Sequence, residues 1–539
     1  MTSADDAVDV WHIRCQTTSA DDAVDVWHII CSYLSGKDVM AVRGCNRTLY
    51  TNIPMNVRLK PHQKEHCQRL IDLVGRWHSY MDTSQKGSGK TFHQMWLAKE
   101  CGLTLMVICQ VNMMDPWAQL CSVYQVPLLD VISYQSLRGT STSTLKHPWL
   151  ERDGNKFTVT DEFDDYVQQG ILLIFDEVQN LRNATAQFDA AYALASHIFD
   201  SESSSRVGLV SALPCNTDES VENMMKLLNL IREPKLVEYN RPTRTWEAKG
   251  LEEAYAVAFE HDPELANEIY KFRGESKKYA YQICYELYSE ILVRHYSSAT
   301  PAPTMEKNIE KFVCNAFYPV SDDELDDLQI LMEKLAEVTN FNEETGETEY
   351  SKNTIGLLWK ILPAIEKKKT QVFIRAAKEV LETNPTSKVV IFLNYLESIK
   401  LVATGLRKYD PYVITGSVPP STRTKFIKIF QQENLFSRVI VTSPQVSGSG
   451  ISLDDIYGNF PRYAFISPSY NFINLDQATG RIWRTNTKSD VHINLVFIQM
   501  LEQELAILQS LASKSDKARG MLYDPENVVF PGEYEIVNM

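Results

Sequence analysis

Ser84-Gln-Lys-Gly-Ser-Gly-Lys-Thr91 closes on Gly-Lys-Thr after a run of small residues. In such a loop, backbone N–H groups converge on phosphate oxygens at the start of a helix whose dipole favours anions. Gly87 and Gly89, with Ser88 between them, allow close backbone approach without a bulky side chain. Lys90 reaches β- and γ-phosphates, and the Thr91 hydroxyl can hold a magnesium ion. Further on, the apolar run Ile171-Leu-Leu-Ile-Phe175 leads straight into Asp176-Glu177. A carboxylate at the end of a buried strand can orient Mg²⁺, the role assigned to Asp176. Glu177 can then accept a proton from the attacking water. Nearly four hundred residues downstream of the loop stands Gln477-Ala-Thr-Gly-Arg481-Ile-Trp-Arg484. If helical, its two arginines share a face and can bring positive charge across a cleft to a transferring phosphoryl group, with Gln477 nearby. Together the set has the chemistry to hydrolyse a nucleoside triphosphate with magnesium.

Taken singly, each element has a plainer reading: a Gly/Ser turn, an acidic turn after a core strand, a solvated arginine face. Their order along the chain argues against three coincidences.

These residues need a scaffold, and the pattern supplies one. Short apolar runs alternate with helical stretches at Leu103 to Cys109, Val131 to Tyr134, Ile171 to Phe175 and Val207 to Val210. Runs of this length suit strands buried on both faces of a parallel sheet. From about Val221 to Thr383 helical patterns dominate, including Leu251 to Val293 and Asp322 to Val338. Alternation resumes at Val389 to Leu393, Pro411 to Ile414, Arg438 to Thr442, Tyr463 to Ile466 and His492 to Phe497. The expected fold is α/β, with two parallel-sheet lobes, a helical insertion between them and a small helical N-terminal unit. The divisions expected are 1–52, 53–235, 236–385, 386–500 and 501–539.

The N-terminus carries a duplication. Thr2 to Ile13 recurs unchanged at Thr18 to Ile29, in two copies too short for a solenoid. A duplicated coding segment or a start-site artefact accounts for it.

The 539 residues hold 44% hydrophobic and 23% charged side chains, ordinary for a globular protein of several domains. No membrane span and no secretory leader are read, and the ten cysteines form no CxxC or metal-ligand cluster. An intracellular protein with reduced thiols is expected, in nucleus or cytoplasm, or in a viral factory if the chain is viral. The net charge of −15 is not the footprint of a nucleic-acid binder, although a basic groove can coexist with acidic surfaces.

Taken together, the motifs resemble those of the superfamily 2 helicases and translocases over roughly Arg58 to Gln499. Leu59-Lys-Pro-His-Gln63 is similar to the upstream element whose glutamine reads adenine. Ser84 to Thr91 resembles motif I, with Ser84 where Gly or Ala is usual. Val107 to Trp117 and Ile132 to Leu137 resemble motifs Ia and Ib, which touch the nucleic-acid backbone. Asp176 to Gln179 resembles motif II, with Gln179 in a place often held by His. Ser211-Ala-Leu-Pro214 resembles motif III, which couples the ATP and nucleic-acid sites; its middle residues depart from the common forms. Val389 to Tyr395 resembles motif IV. Ser447 to Leu453, including Gly450 as a nucleotide contact, resembles motif V with two serine replacements. Gln477 to Arg484 resembles motif VI. The RecA-like lobes, ATP and Mg²⁺ are what the resemblance implies.

Leu292-Val-Arg-His295, the Thr415 to Phe430 stretch and the helical region look like the Snf-type branch and the helicases of large DNA viruses. That likeness implies movement along DNA rather than RNA, with an RNA helicase as the alternative. Val24 to Arg47 resembles an F-box, although its usual leading Leu-Pro is absent; a plain helical hairpin fits the same apolar pattern. The F-box likeness implies docking of residues 18–52 on a Skp-type adaptor, and a further alternative: a ubiquitin-ligase adaptor with a helicase-like body.

Overall fold

Apolar runs become strands because Val, Ile, Leu and Met fit a pleated surface covered on both faces. The computed structural model describes residue 57 and residues 59–537, apart from 141–144, 146, 303–308, 343–346, 351–354, 445–451, 485, 500 and 526–533. The duplicated N-terminus and the F-box-like stretch lie outside the described residues. Residues 1–58 with Gln119–Val126 form one unit, whose described part is residue 57, the end of the helix Val111–Tyr124 and the turn after it. Both large sheets and the candidate site lie in the other unit.

The first sheet comprises β1 (Ser79–Asp82), β2 (Thr104–Cys109), β3 (Leu128–Ser133), β4 (Ile171–Asp176), β5 (Arg206–Val210) and β6 (Ser297–Ser298). Their order is β6-β1-β5-β4-β2-β3, all parallel. The register aligns Asp82 and Asp176 on either side of Val210. The segments after β1, β4 and β5 therefore leave the same carboxyl edge, where ligands gather in open α/β sheets.

The second sheet holds β7 (Lys311–Tyr318), β8 (Lys388–Phe392), β9 (Tyr412–Ile414), β10 (Val439–Thr442), β11 (Arg462–Ile466), β12 (Val491–Ile498) and β13 (Tyr534–Ile536). The order is β9-β10-β8-β11-β12-β7-β13, again parallel. Alternate residues of β8 feed opposite cores. Val389 and Ile391 join Phe373 and Leu381, whereas Val390 and Phe392 join Phe472, Leu475 and Leu511. Each such fully buried side chain contributes roughly 1.5–3 kcal/mol.

The helical stretch between the sheets is shared. Helices Lys249–His261, Pro263–Ile269 and Lys277–Glu286, a π-helical turn Leu287–Leu292 and Val293–Tyr296 pack into the first core through Leu251, Ala258, Ile283, Leu292 and Tyr296. The chain then supplies β6. Helices Asp322–Val338 and Ile355–Thr383 pack on the second sheet through Leu328, Met332, Val372 and Ala377. Lys369 and Glu504 form a buried ion pair at 2.6 Å, and the Lys369 ammonium also donates to Val496 O. Among the described residues no helix is long and apolar enough to cross a membrane, and no cysteine is in a disulfide.

Candidate active site

The loop after β1 is held from below. Ser84 N donates to Asp82 Oδ1 at 3.0 Å, and Thr83 N and Gln85 N donate to Ser298 O and Thr300 O beside β6. Gly87 and Gly89 stand at φ of 82° and 97°, a region L side chains rarely adopt. A Cβ on Gly89 would lie 2.5 Å from Gln63 Nε2, so only glycine admits that side chain. The helix Lys90–Glu100 starts directly after, with Thr91 half-buried in its first turn. The Lys90 ammonium donates to Ser84 O and Gln85 O at 2.9 and 3.1 Å, folded over the loop it would serve. Gln63, near the start of the helix Pro61–Arg76, donates to Ser88 O at 2.7 Å and accepts from Lys60 N at 2.8 Å. Its amide keeps one donor and one lone pair for a further partner.

Asp82 ends β1 fully buried. Its Oδ2 accepts from Gln94 Nε2 at 2.9 Å and faces His66 Nε2 and His93 Nδ1 at 3.3 and 3.2 Å. Burial opposes its ionisation, but His66 and His93 outweigh that and hold the carboxyl well below the usual range. Among the described residues this is the one His/Asp group close enough to hold a metal. Hydrogen-bond donors already occupy the carboxylate, so it acts as a strut tying the helix of Gln63 to the loop.

At the end of β4, Asp176 is buried. Trp117 Nε1 donates to its Oδ2 and Tyr134 OH to its backbone carbonyl, each at 2.9 Å. Burial, together with Glu177 alongside, pushes the Asp176 carboxyl up to about 6 against the pull of Trp117 and Lys90. A carboxylate so poorly compensated suits a cation, as does the hydroxyl of Thr91. Trp117 and Tyr134 belong to stretches expected to face a nucleic-acid backbone; these two rings instead turn inward to support Asp176.

Glu177 is left-handed, at φ 57°. Gln179 Nε2 donates to Glu177 Oε2 at 2.5 Å, and Ser211 Oγ donates to Gln179 Oε1 at 2.7 Å. Ser211 Oγ also accepts from Leu213 N at 2.9 Å, and the Leu213 side chain is buried among residues of the second sheet's core. A chain of polar contacts thus runs from Glu177 through Gln179 to a residue seated in the other lobe.

The second lobe contributes the helix Phe472–Ile482. Gln477 is half-buried on it and Arg481 buried, with Arg484 half-buried just beyond. Burial and the neighbouring Arg484 lower Arg481 to about 10, while Glu177 and Asp476 pull the other way, so it stays charged at neutral pH. Glu177 also acts on Arg484. Leu453 N donates to Arg481 O at 2.9 Å, tying the segment after the motif V stretch to this helix. Gly450 and Ser447 lie outside the described residues.

One cross-lobe contact had no sequence signal strong enough to single it out. Lys86, inside the phosphate loop, donates to Asp476 Oδ2 and to Asp476 O, both at 2.5 Å. Gly480 makes room: a Cβ there would lie 2.5 Å from Lys86 Cδ. Lys86 could have been flagged as a cation inside the loop. Asp476, His66, Asp82 and His93 become visible only when the fold juxtaposes them.

Two parallel-sheet lobes, a Gly-Lys-Thr loop on one and an arginine helix of the other beside Glu177, are the makings of a two-lobed helicase-type ATPase. Residues 372–486 match the helicase conserved C-terminal domain. A protein of Acanthamoeba polyphaga mimivirus bearing the name "putative ATP-dependent RNA helicase" is 24% identical over 467 residues, covering 85% of this chain and 82% of that one. A RAD54-like DNA repair and recombination protein of Drosophila grimshawi is 26% identical over 151 residues, 28% of this chain and 18% of that protein. The solved Sulfolobus solfataricus SWI2/SNF2 ATPase core in complex with dsDNA aligns at 17% identity and a TM-score of 0.30, over 89% of this chain and 98% of that one. Residues 372–486 thus resemble a helicase C-terminal domain, and the chain is similar over most of its length to the viral protein named as a helicase.

Proposed function

We propose that this chain hydrolyses Mg·ATP in the cleft between its lobes and uses the cycle to move along DNA. The observation that carries the reading is the ion pair of Lys86 with Asp476, which joins the phosphate loop to the helix that bears Arg481, where the charge of Glu177 acts on Arg481 and Arg484. In this reading the backbone N–H groups of Gly87 to Gly89 and the Lys90 ammonium hold the phosphates, and Gln63 contacts the base. Thr91 and Asp176 hold Mg²⁺, which would neutralise phosphate charge when bound. Glu177 takes the proton of the attacking water. Arg481 and Arg484 stabilise charge on the transferring phosphoryl group, and Gln477 lies on the same helix. Gly450 belongs to the proposed nucleotide contacts by motif position alone.

DNA as the track is supported by the match to a relative named for DNA repair and recombination. A second reading, an RNA helicase, is favoured by the name of the viral relative matched over most of both chains. ATP hydrolysis measured with duplex DNA and with single-stranded RNA separates them. Stimulation by duplex DNA is expected, and stimulation by RNA alone would overturn the DNA reading. Lys90→Ala and Glu177→Gln are each expected to lower stimulated turnover by about 10²–10⁴-fold. Wild-type turnover in either would overturn the site assignment.

A further inference from the structure

At the far end of the helix that begins beside Gln63, a cavity of about 840 Å³ opens between that helix, the end of Lys249–His261, the Val293–Tyr296 turn and the segment after the helix Glu502–Gly520. Its walls carry three arginines, Arg69, Arg76 and Arg294, against one carboxylate, Asp72. This local excess of positive charge stands out in a chain of net charge −15. The Arg76 and Arg294 side chains make no ion pair among the described residues, although Asp72 lies one turn from Arg76. Arg69 is anchored: its Nε donates to Ser297 O at 3.3 Å, and its guanidinium lies 4.5 Å from the Tyr523 ring centre.

The remaining wall is aromatic. Trp77 packs on Tyr296 with ring centres 4.8 Å apart, and His261 stacks on His295 at 4.0 Å. Burial lowers both histidines, so they present neutral rings at physiological pH. The buried His261 Nε2 has no hydrogen-bond partner among the described residues. Flat rings beside two unpaired guanidiniums match a planar base joined to a phosphate ester, since aromatic faces stack on bases and arginine forks grip phosphate oxygens. An open cleft of this volume has room for one such unit, with Arg76 and Arg294 exposed at its rim.

We propose that this pocket binds a nucleotide unit at a second site, separate from the phosphate loop, with Arg76 and Arg294 on the phosphate and Trp77 or Tyr523 against the base. The unit can be a free nucleotide or one residue of a single strand; both present the same chemistry. The proposal does not rest on the assignment of the ATP site or on the choice of DNA.

Photocrosslinking of the full-length protein tests it, with 5-iodouridine 5′-monophosphate as one probe and a short 5-iodouracil-bearing oligothymidylate as the other. Peptide mapping is expected to find adducts on Trp77 or Tyr523. Adducts with the mononucleotide identify the free ligand, and adducts with the oligonucleotide alone identify a strand. Arg76→Glu with Arg294→Glu should cut the yield at least about tenfold, the scale of one lost charge-assisted hydrogen bond, while ATP hydrolysis without nucleic acid is unchanged. The milder Arg76→Gln with Arg294→Gln should act in the same direction and guards against misfolding. No adduct on either ring with both probes, or undiminished yield in the well-folded variants, would overturn the proposal.

Discussion

Lys86 of the phosphate loop and Asp476 of the second lobe form an ion pair that spans the cleft, with a backbone carbonyl of the same aspartate as a second acceptor. The loop that would hold a nucleotide is thereby fastened to the helix that carries Arg481. Lys86→Ala and Asp476→Ala should each lower turnover, and the double variant should lose less than the sum, with a coupling of about 1 kcal/mol for this partly exposed pair. Gly480→Ala should behave like Lys86→Ala, because the added methyl meets the lysine stem. A double-mutant cycle on steady-state ATP hydrolysis checks this; strictly additive losses would dismiss the bridge as a working contact.

Asp176 carries a cost that depends on pH. Its carboxyl sits at about 6 in the fold, against 3.8 ordinarily, so the native state holds its proton longer than the unfolded chain does. The penalty is absent below the ordinary value, grows as pH rises through the interval, and is complete above about 6, where it amounts to roughly 3 kcal/mol. Asp176→Asn should therefore raise the melting temperature of the nucleotide-free protein at neutral pH and scarcely change it near the ordinary carboxylate range, while abolishing turnover. Calorimetry at both pH values decides; an equal shift at the two would contradict the linkage.

Ser211 completes the contact chain from Glu177 to Leu213. Ser211→Ala leaves Gln179 Oε1 without its donor, at a cost of about 1–3 kcal/mol. We expect basal ATP hydrolysis to survive and its stimulation by nucleic acid to fall severalfold. Loss of both activities in equal proportion would show that the serine supports the fold instead.

Asp82 is the buried acid beneath the loop. Asp82→Asn removes the charge that His66 and His93 face and should destabilise the protein by about 3–5 kcal/mol. Because the folded carboxyl is held low, its stabilisation is present above the ordinary carboxylate range and fades as pH falls through the depressed value. Melting temperatures of the two proteins should converge in acid; a gap that persists there would refute this account.

Much of the scaffold was legible because its strands are apolar runs of the right length. Ile171 to Phe175 and Val207 to Val210 fall inside observed strands, and Asp322 to Val338 is a helix as read. β1 escaped notice because Ser79-Tyr-Met-Asp82 is half polar; its burial depends on neighbouring strands distant in sequence and on the helix that carries Gln94. β7 hid for a similar reason, with lysine, cysteine and asparagine in its run, and the two residues of β6 are too few to carry any pattern. In the structure the charge of Glu177 acts on Arg481 and Arg484 of the other lobe. The stretches that contain Trp117 and Tyr134 resemble motifs that touch a nucleic-acid backbone, and only the three-dimensional packing reveals that these two side chains hydrogen-bond to Asp176.

The late arrival of β6 bears on how this protein can be dissected. Ser298 O and Thr300 O accept from Thr83 N and Gln85 N, so the loop's footing is delivered by residues more than two hundred positions away. A fragment ending near residue 235 would keep every nucleotide motif of the first lobe, yet lack this edge strand and the helices that fill the core behind it. Expressed alone, such a fragment should be poorly folded and weak in nucleotide binding, whereas one extended through Ala302, which also donates its N–H to Gln85 Oε1, carries its own foundation.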